Sequence, residues 1–408
     1  MKIASCSVYR LRIPMRFVPR GRGALKIHAE NIVVRLVLEN GAEGYGEGAP
    51  REDMTGETAV GAAGKIVGLY LPGLKKLDPV SFGEAVWAAA GLRVARGGCE
   101  VSNAARCAVE LALLDAYGNA FKAGLDALRD VLPGIGGQGG SPAAPRVAVI
   151  PVLGRVRSWA AFRFFRVLGF RSFKLMFGPA GDKRSWDIAA ALGRSARRGR
   201  LSLCADARGS WTAEEAPILI ARLKRLGFSA VEQPVAAGSL AGFSLSPSRV
   251  GEVEITADES LRTPGEAERL ASGRACDSFL VGLSKCGGLF PSLQVVAVAG
   301  RHGLRCHLGA AECETGILAA AQGFFLGIAP GLASVAPSLS RLHLKRNIVR
   351  RTPGPGGLAG PWPRRGCGLG VIVDRKQLQA LADKLYEIDL APSGAIAPDA
   401  ADRPGGGP

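Results

Sequence analysis

Four ionisable residues recur at a nearly constant interval in the middle of the chain. They are Asp206 in LCADARGSW, Glu232 in VEQP, Asp258 in ITADES and Lys285 in VGLSKCGG, separated by 26, 26 and 27 residues. Each closes a short apolar stretch. An interval of this length holds one strand and one crossover helix, so successive members fall at the C-terminal ends of neighbouring parallel strands, where barrel enzymes carry their chemistry. Three carboxylates gathered at one mouth repel one another unless a cation stands between them. Hard oxygen ligands alone select Mg²⁺, with Mn²⁺ as a substitute. Lys285 arrives from the next unit. Beside a divalent cation in a confined site its pKa can fall from about 10.4 toward neutrality, which suits it to take a proton from carbon. The metal then stabilises the enolate formed when that carbon lies next to a carboxylate. The plainer role for Lys285 is a salt bridge to one of the same carboxylates.

Lys174, in SFKLMFG, adds a second basic group. Side chains alternate along a strand, so Lys174 and Met176 share a face, with Met176 one layer nearer the mouth. A lysine inside a barrel needs an anionic partner, and the three carboxylates are the candidates.

These residues require a scaffold, and the chain alternates in the way such a scaffold demands. Short apolar strands are expected at 147–152, 172–177, 201–205, 230–232, 254–257, 278–282 and 305–308, with helical stretches between them. Seven or eight such units between residues 146 and 345 make a modified TIM (β/α) barrel. The long apolar run 316–336 contains Gln322, Pro330 and four glycines. It reads as a buried helix with its following loop rather than a membrane span. Ahead of the barrel, residues 1–130 read as an α+β unit. Two strand runs, 2–12 and 31–40, precede an Asn40-Gly41 hairpin turn. A helix follows over 101–122, with Ser102 or Asn103 as N-cap and Gly124 as stop. Residues 131–145 are a Gly/Pro linker. Residues 346–390 are expected to return to the first unit, and 391–408 to be disordered.

Bulk properties bound the function classes. The chain has 408 residues, 47% apolar and 21% charged, enough for a large core. Its net charge of +17 raises the question of nucleic acid. The arginines are scattered and no nucleic-acid signature accompanies them, so a small acidic substrate is the expected partner, with neither nucleic acid nor membrane. Nine cysteines at irregular spacing, with no C-x-x-C, indicate free thiols in a reducing cytoplasm.

Taken together, AARCAVELALLDAYG, DARGSW, VEQP, ADES, LSKCGG, ECETGIL and GLGVIVD resemble the enolase superfamily, in its muconate-lactonizing and dipeptide-epimerase branch, over residues 1–390. The resemblance implies a capping domain built from both chain ends over the barrel. It implies Mg²⁺ on Asp206, Glu232 and Asp258, and abstraction of the proton α to a carboxylate by Lys285. Members are often homo-oligomeric, and a homo-oligomer is expected.

Two departures bear on the reaction. Members of the branch carry Lys-x-Lys on the second strand, with the second lysine an acid/base catalyst facing Lys285. Lys174 matches the first lysine, but Met176 stands at the second, and a thioether carries no proton at neutral pH. One-base chemistry of the muconate cycloisomerase or o-succinylbenzoate synthase kind is therefore expected. A dipeptide epimerase or N-acylamino acid racemase is the alternative, and a metal-binding homologue with lost or altered activity the third reading. Arg208 stands where the family has Asn, and is expected to pair with a metal carboxylate or to bind a substrate carboxylate. The resemblance also assigns substrate contacts to cap loops containing Arg20, Arg22, His28 and Arg51, and to Glu314 in ECETGIL, which contacts an ammonium in epimerase-type members. A helix-capping role or a pairing with Lys285 is the other reading of Glu314.

Overall fold

A computed structural model describes residues 1–16, 28–93, 102–131, 148–153, 158–179, 182–240, 253–311, 313–329, 331–336, 340–350 and 366–390. The expected linker lies outside these residues except for Val131, and the expected tail lies wholly outside them.

The N-terminal runs become three antiparallel strands, β1 (Ile3–Pro14), β2 (His28–Leu38) and β3 (Glu43–Gly48). The Asn40-Gly41 turn links the last two. Gly41 takes φ of +80°, and the Asn40 side chain accepts a hydrogen bond from the Ala42 amide at 3.0 Å. The sheet order is β13-β1-β2-β3, in which β13 (Ala382–Asp389) comes from the far end of the chain and pairs antiparallel with β1.

β3 has the sequence EGYGEG, and its glycines share one face. That face lies on the helix Asn103–Ala120. A Cβ at Gly44, Gly46 or Gly48 would collide with helix backbone at Ala116, Ala108 or Ala104 respectively. Two strand residues advance about 6.8 Å, and four helix residues about 6 Å. The alternating glycines and the i, i+4 alanines therefore stay in step, and backbone rests on backbone. The helix is buried from Asn103 to Gly118. Ser102 stands at the N-cap as expected, but its side chain makes no capping bond. Glu57 supplies the cap instead, accepting from the amides of Ala104 at 2.8 Å and Ala105 at 3.4 Å. The replacement works because an exposed-helix capping rule does not anticipate a carboxylate delivered by tertiary packing.

The barrel is one parallel sheet of order β4-β12-β11-β10-β9-β8-β7-β6-β5. Its strands are β4 (Ala148–Val149), β5 (Val152–Leu153), β6 (Ser172–Met176), β7 (Ser202–Asp206), β8 (Ala230–Glu232), β9 (Glu254–Ala257), β10 (Ser278–Val281), β11 (Arg305–Gly309) and β12 (Leu332–Ala336). The segment 148–153 closes it. β4 pairs with β12 at one edge and β5 with β6 at the other. Between them, the Ile150 amide donates to the Val335 carbonyl at 2.8 Å, and the Pro151 carbonyl accepts from the Lys174 amide at 3.0 Å. Counted once, this segment makes eight strands. The eighth, β12, was expected as loop. Its sequence LASVA carries little β-branched signal at the end of an apolar run that begins as the helix Gly316–Ile328.

Replacing Gly46 with Ala should push β3 off the helix. Overpacking of this kind costs about 1–3 kcal/mol. The thermal unfolding midpoint should fall by several degrees, while the equivalent change at Gly41, where a Cβ meets nothing, acts only through its positive φ.

Candidate active site

The strand register places the chemistry-bearing residues. Met176, Asp206 and Glu232 are direct neighbours across β6, β7 and β8, and Glu232 pairs in turn with Thr256 of β9. Asp258 follows β9 immediately. Lys174, two residues before Met176, lies one layer deeper and pairs with Cys204. Lys285 does not close a strand as the spacing suggested. It sits in a helical turn, Leu283–Cys286, just after β10.

Nine of the residues expected at the site line one cavity of about 720 Å³: Asp206, Glu232, Asp258, Lys174, Lys285, Arg51, Arg208, His28 and Glu314. Arg20 and Arg22 lie outside the described residues. Both lysines face carboxylates. Lys174 Nζ donates to Glu232 Oε2. Lys285 Nζ donates to Asp258 Oδ1 at 2.5 Å, to the Asp258 carbonyl at 2.8 Å and to the Leu280 carbonyl at 2.6 Å. Burial lowers the pKa of both ammonium groups. Glu232 and Asp206 outweigh it at Lys174, and Asp258 does so at Lys285, so both are held above the ordinary lysine value. In this structure Asp258 serves as the counter-ion of Lys285.

The carboxylates feel the opposite pressure. Burial pushes Asp206 up, and repulsion from Asp258 adds to this against Lys174. Burial raises Glu232, with Asp206 and Asp258 adding to it. A fourth carboxylate, Glu259, was missed although it adjoins Asp258 in sequence. Burial and repulsion from Asp258, Asp206 and Glu232 raise it strongly, and its Oε2 is buried without a hydrogen-bond partner. Among the described residues, no three His, Cys, Asp or Glu side chains stand close enough to form a ready-made cation cage. The donor set nevertheless suits a divalent cation. It is oxygen-only and buried, and the adjoining Glu259 leaves one buried oxygen without a hydrogen-bond partner. Its two closest counter-charges are lysines that a cation could relieve.

Backbone positioning is shared between barrel and cap. Gln233, also missed, is fully buried at φ of +37°. Its Oε1 accepts from the amides of Asp258 at 3.0 Å and Ser260 at 3.2 Å. Its Nε2 donates to the Val235 carbonyl at 2.8 Å and to Ser260 Oγ at 2.7 Å. This staples the loops after β8 and β9 and so sets Glu232 against Asp258. The Lys285 turn is held from the cap. Asn103 Nδ2 donates to the Lys285 carbonyl at 2.7 Å, Arg106 Nη1 to the Gly287 carbonyl at 2.6 Å, and the Ala49 amide to Ser284 Oγ at 2.8 Å. Arg106 pairs with Glu110, which accepts from the Leu289 amide. Gly288, at φ of +118°, has no room for a side chain against Glu110.

Two residues of the cavity lining, Arg208 and Glu314, bond to the protein itself. Arg208 does not pair with a metal carboxylate through its guanidinium. Its amide donates to Asp206 Oδ1 at 3.0 Å, and its Nη2 to Asp53 of the cap at 3.2 Å. Arg208 takes a left-handed φ of +51°. Glu314 is 2% exposed, and burial pushes its carboxyl up to about 8. Its oxygens accept from the Ala311 amide at 2.9 Å and from Gln322 Nε2 at 2.7 Å, so they tie down the loop after β11. His28 begins β2 at the cavity wall.

Comparison with known proteins follows this geometry. The family model for enolase C-terminal domain-like proteins matches residues 160–377. The chain is 31% identical to muconate cycloisomerase 1 of Rhodococcus opacus over 74% of this chain and 77% of that protein. It is 28% identical to the L-Ala-D/L-Glu epimerase of Clostridium acetobutylicum over 76% and 82%. The muconate lactonizing enzyme of Pseudomonas putida has the same fold, with a TM-score of 0.76 at 22% identity, covering 94% of this chain and all of that one. Among the described residues, no helix is long and apolar enough to cross a membrane.

Substituting Lys174 with Met should strand a buried Glu232 charge. Removing one partner of such a pair costs about 3–5 kcal/mol. The denaturant midpoint should fall accordingly and recover most of the loss in Lys174→Met/Glu232→Gln. An additive double mutant would show that the pair is not coupled.

Proposed function

As this chain belongs to the enolase superfamily, in its muconate-lactonizing and dipeptide-epimerase branch, and is an enzyme of isomerase type, we propose that it removes the proton α to a carboxylate of a small acid by one-base chemistry. The observation that carries this reading is the row across the barrel mouth. Asp206 and Glu232 stand side by side, Lys285 lies beyond them against Asp258, and the opposite end of the row is Met176. Asp206, Glu232 and Asp258 would hold Mg²⁺. When bound, the cation supplies positive charge that lowers the cost of the negative charge developing on the substrate carboxylate.

The chain's own groups do the rest. Lys174 keeps Glu232 oriented from the layer below. Lys285 is the acid/base, and its carbonyl and following turn are anchored on the cap, so that only the side chain need move. For Lys285 to accept a proton, its hold on Asp258 must loosen, which follows when Asp258 turns to another positive partner. His28, Arg51 and Arg208 line the outer wall, where an anionic substrate enters. Met176 offers the substrate's other face a thioether. Cycloisomerisation or syn-elimination needs no second proton carrier there, whereas epimerisation by a two-base route does. The dipeptide-epimerase relatives keep epimerisation as the second reading.

The test is hydrogen exchange. With Mg²⁺ in D₂O, a panel of muconates, N-acyl amino acids and dipeptides should include a compound that gains α-deuterium. Lys285→Ala should slow that exchange by about 10²–10⁴-fold, the usual contribution of a general base. Met176→Lys should add exchange at the opposite face. Mg²⁺ should also raise the unfolding midpoint of the wild-type chain but not of Asp206→Asn. Metal binding without exchange across the whole panel would overturn the catalytic reading and leave a metal-binding homologue.

A further inference from the structure

The helix Ser158–Val167, which follows β5, is apolar on two faces. Its inner face is used in folding. Phe162 lies 5.0 Å from Phe173 and Phe165 lies 5.4 Å from Phe170, ring centre to ring centre. Its outer face meets solvent. Trp159 is 47% exposed, Phe164 54%, Val167 87% and, in the turn that follows, Leu168 56%. Phe164, Val167 and Leu168 stand at i, i+3 and i+4, so they form one stripe. Single apolar residues on a surface need no account, but a contiguous group marks a place of contact.

The end of the barrel where this stripe stops is strongly basic. Parallel strands begin at the end opposite the cavity mouth, so the turns leading into β6, β7 and β8 lie together there. Ser172 pairs with Ser202, the Ser202 amide donates to the Arg171 carbonyl at 2.9 Å, and Arg197 Nη1 donates to the Arg225 carbonyl at 3.4 Å. These turns expose Arg171, Arg197, Arg198, Arg200, Lys224 and Arg225. No Asp or Glu occurs at 151–181, 188–205 or 216–231. A cation in the last turn of a helix complements its dipole. That accounts for Lys224 and Arg225, but not for Arg197, Arg198 and Arg200, which lie beyond the helix Lys183–Ala196. The expectation of neither nucleic acid nor membrane as partner rested on arginines scattered along the chain. The fold collects them beside Val167 and Leu168.

We propose that this end of the barrel docks on the surface of an anionic lipid bilayer, with Phe164, Val167 and Leu168 entering the headgroup region and the basic turns meeting the lipid charges. Exposed apolar side chains beside an acid-free group of cations are what such a surface recognises. A nucleic acid would satisfy the cations but has no use for two aliphatic side chains. A second copy of the chain, paired about a two-fold axis through the same face, would set cations against cations. The contact is with the surface alone, since among the described residues no helix is long and apolar enough to cross a bilayer. The cavity mouth lies at the other end of the barrel and faces away from the lipid.

Vesicle sedimentation tests it. The full chain is mixed with vesicles of phosphatidylcholine alone, or of phosphatidylcholine and phosphatidylglycerol in equal parts, at low and high salt. It should bind the anionic vesicles, lose most of that binding at high salt, and leave the neutral ones alone. Arg197→Gln/Arg198→Gln/Arg200→Gln should weaken binding by about a hundredfold, the effect of three charges near an anionic surface at about 1 kcal/mol each. Val167→Ser/Leu168→Ser should weaken it at least about tenfold with every charge kept. Lys2→Gln/Lys75→Gln/Lys76→Gln, on the cap, removes the same charge as the arginine variant and should change binding little. No binding to the anionic vesicles, equal binding to the neutral ones, an equal loss in the cap variant, or no loss in Val167→Ser/Leu168→Ser would each overturn the docking. A single-stranded oligonucleotide bound more tightly than the vesicles would overturn it in favour of nucleic acid. A dimer in sedimentation equilibrium that Val167→Ser/Leu168→Ser dissolves would overturn it in favour of a second copy.

Discussion

Like charges at a barrel mouth set the terms for everything else in this protein. Asp206, Glu232, Asp258 and Glu259 share a buried region in which Asp258 raises the cost of ionising Asp206, Asp206 and Asp258 that of Glu232, and all three that of Glu259. Two unit charges about 4 Å apart interact by about 4 kcal/mol at an effective dielectric constant near 20. Such a cluster persists only with positive charge inside it. In this chain the charge comes from Lys174 beneath Glu232 and Lys285 beside Asp258. The pairing is thus both a condition of folding and a poised state. The same two lysines that make the cluster tolerable occupy the electrostatic place that a divalent cation would take.

That balance is held from outside the barrel. A strand end fixes Asp206 and Glu232, but Lys285 stands on a two-glycine turn with little stiffness of its own. The cap supplies the stiffness. Asn103 and Arg106 come from a helix that cannot shift, because β3 packs backbone to backbone against its alanines. Glu47 on the same strand is fully buried and accepts from the amides of Thr315 at 2.8 Å and Leu318 at 3.0 Å. One strand–helix layer of the cap therefore reaches the turn after β10 and the helix after β11 together. Glycine spacing far from the chemistry, in EGYGEG, is what lets that layer form.

The periodic part of this design was readable from sequence. Spacings of 26, 26 and 27 residues carry the register of the barrel with them, and register brings Asp206 beside Glu232 without further information. What could not be read is of another kind. Glu57 caps a helix 47 residues onward, Asp53 meets Arg208 155 residues away, and Gln233 joins two loops through a left-handed backbone. None leaves a local pattern, because each partner is set by tertiary approach. Glu259 adjoins Asp258 and was visible as an acid, but adjacent residues on a strand face opposite ways, and only the bend after β9 turns it inward. β12 was hidden for a different reason. It lies inside a continuous apolar run, where helix and buried strand have the same composition.

Met176 and Arg208 gain meaning when considered together. The branch this chain belongs to carries a lysine where Met176 stands, and an asparagine where Arg208 stands. Met176 is the direct cross-strand neighbour of Asp206, so a lysine there would lie against the one of the three carboxylates Asp206, Glu232 and Asp258 that neither Lys174 nor Lys285 bonds directly. Without it, Asp206 must find positive charge elsewhere. Arg208 provides part of it, through its amide and through its guanidinium, both of which lower the Asp206 pKa. The number of cations around the acidic cluster is thereby kept while their chemistry changes. A lysine can give and take a proton; a guanidinium cannot at any pH the protein meets. Charge balance at the mouth is maintained, and the capacity for proton transfer is concentrated on the side of Lys285.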